Sequence, residues 1–235
     1  MELKRVVVTG LGAVTPVGNN PEETWNNLIN GVSGAAPITL FDTTNFKTKF
    51  ACEVKNLDVN EYLDRKEARK MDRYAQFSVC VADEALRDSG IDLEQEDRCR
   101  VGVIWGSGMG GLLTMEGDII DYAKGDGMPH FNPFMIPKAI PSIAAGMISI
   151  RFGLGGPSFS VSTACSSSSH AVGSAFDQIR LGHADVLLTG GADADVTYTG
   201  IGGFNSMRAL STRNESPACG SVSWKPELTD RTQSE

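Results

Sequence analysis

The sequence predicts an α/β fold: a mostly parallel sheet with helices on both faces. Three observations carry this reading. Short apolar, largely β-branched runs end in glycine, segments with a 3.6-residue apolar period lie between them, and the two kinds alternate along the chain. The first run, Arg5-Val6-Val7-Val8-Thr9, closed by Gly10 and Gly12, predicts a strand buried on both faces. A helix follows. Asn20 is placed to cap it, Pro21 occupies a position that needs no N–H, and Glu22 and Glu23 complement the dipole. Trp25, Leu28 and Ile29 form its apolar stripe and Gly31 ends it. Residues 33–62 read as loops with one short strand near Ala51 to Val54. Asp72 caps a second helix whose apolar face holds Tyr74, Phe77, Val81 and Ala85, with Gly90 beyond its end. Apolar residues on both of its faces imply deep burial. Arg100 to Trp105 predicts a second buried strand, running into the glycine turn 106–111 and a short helix. A long irregular segment with Gly125, Gly127, Pro129, Pro133 and Pro137 comes next. From near Pro141 a helix carries Ile143, Ala144, Met147 and Ile148 and ends at Gly153. Ser158 to Ser162 alternates as a strand, and Thr163-Ala164-Cys165 turns into a helix carrying Val172, Ala175, Phe176 and Ile179, with Gly182 after it. Asp185 to Thr189 is the next strand, and from Ser211 onward the polar, aperiodic chain reads as a loose tail.

Composition removes several classes of function. At 235 residues, 41% hydrophobic and 21% charged, the chain can bury a core as one large domain or two small ones. Lys+Arg 21 against Asp+Glu 29 gives a formal net charge of -8, which argues against general affinity for nucleic acid or an anionic membrane. The longest nearly apolar stretch, Ala139 to Ile150, is too short to cross a bilayer and is broken by Pro141 and Ser142. No signal-peptide pattern opens the chain, so a cytoplasmic location is expected. Cys52, Cys80, Cys99, Cys165 and Cys219 are odd in number and form no C-x-x-C pair, indicating neither a disulfide framework nor a zinc site.

The turn Gly106-Ser107-Gly108-Met109-Gly110-Gly111 satisfies G-x-G-x-x-G after a strand, yet Asp126 lies in a Gly/Pro-rich loop rather than at the end of a second strand. A tight turn between closely packed backbones is the better reading. No G-K-[ST] follows a glycine loop, and no G-x-S-x-G elbow occurs. Cys165 stands apart from the other cysteines because it lies where a strand becomes a helix, close to free N–H groups and the positive dipole end that favour thiolate. On these grounds a reactive thiol and a small buried hydrophobe are both open for Cys165, and the buried hydrophobe is the reading for the other four. The histidines give it no local partner. Five residues along a helix turn a side chain by roughly 140°, taking His170 to another face, and His183 is about 27 Å farther on. His130 lies in the proline-rich loop, and each imidazole reads as a helix-surface or core residue. Arg65, Lys66, Arg69, Lys70 and Arg73 form a basic cluster at helical spacing, either a solvated face or a docking patch for an acidic partner.

Val161-Ser162-Thr163-Ala164-Cys165-Ser166-Ser167, Gly-Gly-Ala at 190–192, Gly202-Gly203-Phe204 and Arg208-Ala209-Leu210-Ser211-Thr212-Arg213-Asn214 together resemble the β-ketoacyl-acyl-carrier-protein synthases, the type II elongating enzymes. The opening 7–18, the turn Gly106 to Gly111 and Phe131-Asn132-Pro133-Phe134 match the same family in order. The resemblance implies a thiolase-like fold of two similar α/β halves, paired as homodimers, of which residues 1–217 match the amino-terminal half. It implies that Cys165 accepts an acyl group from acyl carrier protein, where substrates ride on phosphopantetheine, with no other cofactor and no metal. Malonyl-carrier protein then decarboxylates and its carbanion attacks the thioester, in fatty-acid or related polyketide synthesis. By the same implication Met109, Ala164, Gly200 and Phe204 line the acyl pocket, and Phe134 reaches the pocket of the partner subunit. Lys66, Arg69, Lys70 and Arg208 match positions that dock the acidic carrier protein.

The pattern departs after Pro217, where residues 218–235 form a divergent polar tail in place of the family's continuation. The carboxy-terminal half would supply two histidines, a lysine and a second oxyanion donor. The expectation is therefore a truncated or frame-shifted product that does not condense alone. The alternative is a non-catalytic remnant or subunit that binds carrier protein or dimerises.

Overall fold

The computed structural model describes residues 3–219. Helix α1, Pro21–Ile29, starts as expected: the Asn20 side chain accepts a hydrogen bond from Glu23 N and Pro21 fills the first turn. Strands β1, Ala35–Pro37, and β2, Phe50–Cys52, pair antiparallel. The short helix α2, Arg65–Ala68, precedes α3, Arg73–Ser89, which Asp72 caps through Tyr74 N and left-handed Gly90 ends. Strand β3, Val101–Gly106, is buried throughout and leads through the glycine turn into α4, Leu112–Lys124. Helices α5, Met135–Ala139, and α6, Ile143–Phe152, lead to β4, Ser158–Val161. Helix α7, Ser167–Arg180, then β5, Val186–Gly191, and α8, Tyr198–Ser206, complete the order.

The expected parallel sheet is present, with β3 at its centre and β4 and β5 on either side, both parallel to it. Alternation along β3 separates two cores. Val101, Val103 and Trp105 pack with Tyr74, Ala75 and Val79 of α3 and Ala144, Ala145 and Ile148 of α6, whereas Ile104 faces Ala171 and Ala175 of α7. Burying this apolar surface is the main force holding helices to both faces.

Several expectations are corrected. Residues 5–9 form no strand, and Val8 is 80% exposed. A β-branched run favours extended backbone but does not supply a ladder partner. Carboxylates of α3 hold the residues that follow, Asp88 accepting from Leu11 N and Glu84 from Ala13 N. On α1 the stripe Trp25, Leu28 and Ile29 faces outward. On α7 the large Val172 and Phe176 are exposed, and the small Ala171 and Ala175 are what allow close approach to the sheet. The segment read as irregular contains α5 despite Pro137, which falls in the first turn, where a backbone N–H has no helical acceptor. The helix after the glycine turn is 13 residues long, not short. The loose tail is anchored at its start. Thr48 Oγ1 donates to Ser211 O, Lys49 N to Asn214 Oδ1, and Asn214 Nδ2 to Lys47 O. The remainder of that reading, from residue 220, lies outside the described residues.

Candidate active site

Cys165 occupies the connection between β4 and α7, at the C-terminal end of the parallel sheet. This end of an open parallel sheet is where α/β proteins place ligands. Cys165 lies where the strand gives way to the helix, as expected, just before α7, which begins at Ser167 with Ser166 as a cap that makes no side-chain capping bond. Ala164 takes a left-handed conformation, φ 52, which costs a non-glycine residue roughly 1–2 kcal/mol. The loop is held on both sides of Cys165. Ser167 Oγ accepts from Thr163 N at 2.9 Å and donates to Ala164 O at 2.7 Å, and Ser167 N donates to the same carbonyl at 3.1 Å. Because Cys165 precedes the helix, the rotation that seemed to remove His170 does not apply. His170 Nδ1 lies 2.8 Å from Thr163 Oγ1, against the same loop. His183 Nδ1 is hydrogen-bonded to Gln178 Oε1 instead.

Small residues seat this loop on the sheet. A Cβ on Gly106 would meet the Ser167 carbonyl carbon at 2.5 Å, and one on Gly191 the Ser168 Oγ at 2.2 Å, so the first turn of α7 rests directly on the ends of β3 and β5. The glycine turn does hold an acidic side chain, one from the chain itself. Asp193, just beyond β5, accepts from Ser107 Oγ at 2.8 Å, Gly108 N at 3.0 Å and Met109 N at 3.1 Å. This acid does not stand about 20 residues past the turn; the pairing of β3 with β5 brings Asp193 in from much later in the chain. Burial pushes the Asp195 carboxyl up to about 7, with Asp193 and Asp72 adding to the effect. Its Oδ1 has no hydrogen-bond partner among the described residues.

Gly108, the neighbour of Met109 in the glycine turn, lies against Ala164, its Cβ position 3.4 Å from Ala164 O. Gly200 and Phe204 lie on α8, whose N-terminus is tied to α4 by Glu116, which accepts from Tyr198 N and Thr199 N. Gly200 is fixed by space, since a Cβ there would lie 2.1 Å from Asp195 O. Phe134 is the partly exposed cap residue of α5, which packs against α4.

The basic cluster does not lie on one helix. Lys66 is on α2, Arg69 and Lys70 follow it, and Arg73 opens α3 with its guanidinium 4.9 Å from the Phe77 ring centre. Arg65 and Arg69 instead share an open cleft of about 490 Å³ with Lys138 of α5 and with Asn60, Asn132 and Gln76. Lys138 is a residue sequence reasoning missed, because α2 and α5 approach only in the fold. Arg208 is exposed beyond α8, with φ 59, and shares no hydrogen bond with that cluster.

The cysteine assignment also changes. Cys80 is buried, and burial pushes its thiol up to about 12, but Cys52 and Cys99 are exposed like Cys165. Cys52 ends a short strand and Cys99 sits in a 3-10 turn, and neither position reaches the core. Among the described residues no group of three or more His, Cys, Asp and Glu could hold a metal ion, and no helix is long and apolar enough to cross a membrane.

The family model described as beta-ketoacyl synthase, N-terminal domain, matches residues 3–223. The 3-oxoacyl-[acyl-carrier-protein] synthase 2 of Vibrio cholerae is 43% identical over 225 residues, covering 95% of this chain and 54% of that protein. The protein of the same name from Synechocystis is 41% identical, covering 92% of this chain and 52% of its own length. A crystal structure of a β-ketoacyl synthase from Burkholderia phymatum superposes with a TM-score of 0.81 at 27% identity, over 92% of this chain and 53% of that one. The chain thus spans about half the length of the curated relatives it matches.

Proposed function

The chain belongs to the β-ketoacyl synthase family, of which it carries the N-terminal domain, and on that premise we propose that Cys165 is the acyl-accepting nucleophile of a carrier-protein-dependent condensing enzyme. The observation that carries the proposal is the presentation of Cys165: an exposed thiol on a loop held at the C-terminal end of the parallel sheet, immediately before α7. Cys165 Sγ attacks the carbonyl of an acyl thioester on the carrier's phosphopantetheine. The new C–S bond forms as the bond to the phosphopantetheine sulfur breaks, and that sulfur leaves as a thiol. Decarboxylation of a malonyl thioester then gives a carbanion that attacks the Cys165 thioester and releases the cysteine. Covalent capture divides one difficult bond formation into two easier steps. Acyl transfer to Cys165 is the step these residues can support. Of the histidines nearest in sequence, His170 is engaged with Thr163 and His183 with Gln178, and condensation draws on further imidazoles and donors.

Met109, Ala164, Gly200, Phe204 and Phe134 are proposed as acyl-pocket residues, with Phe134 acting across a homodimer. The names of the curated relatives carry acyl carrier protein as the group bearing the substrate. Exposed Lys66, Arg69 and Lys70, beside the Arg65–Arg69–Lys138 cleft, are proposed as its docking surface, with Arg208 a further contact.

Incubation with acyl-carrier protein and intact-mass measurement tests the reading. One acyl group should be added to the parent and none to Cys165→Ala, and Lys66→Glu with Lys70→Glu should slow the addition. No acylation of the parent would instead favour a non-catalytic subunit that binds carrier protein or dimerises.

A further inference from the structure

We propose that Ser167, together with the Thr163–His170 pair, is a positioning device that sets the direction of the Cys165 thiol for acyl transfer. The proposal rests on the reading of Cys165 as the acyl acceptor and adds residues with no role in it so far. Ser167 is 2% exposed, and its hydroxyl uses both its capacities on one loop, accepting from Thr163 N and donating to Ala164 O. These two bonds bracket Ala164, the residue in the left-handed region, and Cys165 follows it directly. A left-handed alanine persists only where its surroundings over-determine it, and Ser167 supplies that determination from inside the first turn of α7. The Thr163 hydroxyl, 2.8 Å from His170 Nδ1, ties the same loop to α7 one turn farther on.

The device is referenced to the sheet. Ser167 lies against Gly106 so closely that a Cβ there would sit 2.6 Å from Ser167 O. The end of β3, the clasp and the nucleophile therefore form one rigid stack. Without the Ser167 hydroxyl, Ala164 can relax toward the right-handed region and turn Cys165 away while the helix and sheet stay in place. Ser167 and His170 touch no reacting atom in this scheme; they act through the loop.

The test separates orientation from exposure. Acylation of Cys165 by an acyl-pantetheine thioester demands a directed attack, whereas alkylation by iodoacetamide demands little more than access. Ser167→Ala, which removes both bonds of the buried hydroxyl, should slow acylation of Cys165 by about tenfold or more, and Thr163→Val, which removes the exposed bond to His170, by about threefold. Thr163→Ser, which keeps the hydroxyl, should acylate like the parent. Iodoacetamide should alkylate Cys165, Cys52 and Cys99 at unchanged relative rates in all four proteins, and buried Cys80 should stay unmodified, reporting a native fold. Equal acylation rates in the parent, Ser167→Ala and Thr163→Val, with Cys80 protected, would overturn the positioning role. Failure of the parent itself to acylate at Cys165 would overturn the acyl-transfer reading, and the clasp's role with it.

Discussion

At the scale of single residues, titration of Asp195 gives the site a measurable pH dependence. Its carboxyl is raised to about 7 by burial and by the neighbouring Asp193 and Asp72, so the folded chain favours the protonated form. That contribution to stability is complete below the ordinary value of 3.8, declines as pH rises and is lost above about 7. Asp195→Asn cannot ionise. Its melting temperature should therefore rise relative to the parent's between about pH 5 and about pH 8, and a constant difference across that range would contradict the assignment. The thiols offer a second residue-scale contrast. Cys80, raised to about 12 within the core, should resist alkylation in the native protein, whereas exposed Cys52, Cys99 and Cys165 react. Composition and spacing alone placed all but Cys165 in the core, because a cysteine's neighbours in sequence do not report the end of a short strand or a 3-10 turn.

At the scale of elements, glycines that look alike in sequence have opposite consequences. Gly106→Ala would drive a methyl into the Ser167 backbone at 2.5 Å, so loss of cooperative unfolding or a large fall in melting temperature is expected. Gly117, within α4, has nothing within 4 Å of its Cβ position, and Gly117→Ala should raise stability in urea unfolding by about 0.5–1 kcal/mol. In the core between α6 and the sheet, Ile148→Ala should cost about 2–5 kcal/mol in the same measurement. The helices with local caps were legible because Asn20, Asp72, Gly90 and Gly153 act within a turn of the ends they close. The run Arg5–Thr9 was misread for the opposite reason: a strand exists only with a neighbour, and nothing in five residues specifies one. Likewise the glycine turn was recognisable, but its carboxylate, Asp193, reaches it only through the pairing of β3 with β5.

At the scale of the whole molecule, the outward apolar face is the dominant feature. Leu11, Trp25 and Leu28 line a groove of about 440 Å³ between residues 11–13 and α1, and Val7, Val8 and Ile29 are exposed as well. Contiguous apolar surface of this kind marks an interface or an association hazard. The 235-residue chain should self-associate in light scattering, and Trp25→Glu with Leu28→Lys should reduce that association. A stable, non-associating parent would contradict the exposed face. The family resemblance was legible at this scale because its motifs fall along the whole matched length, from the opening residues to the segment after α8. The arrangement around Cys165 was not, since the left-handed Ala164, the Ser167 clasp and the return of His170 depend on where α7 begins.

The most direct test of the central claim is a peptide map of the native chain after incubation with acyl-carrier protein, reading acyl occupancy at each cysteine. The account predicts the acyl group on Cys165, with Cys52 and Cys99 unmodified although all three thiols are exposed. Acyl groups spread over Cys52, Cys99 and Cys165 alike, or absent from Cys165, would contradict it.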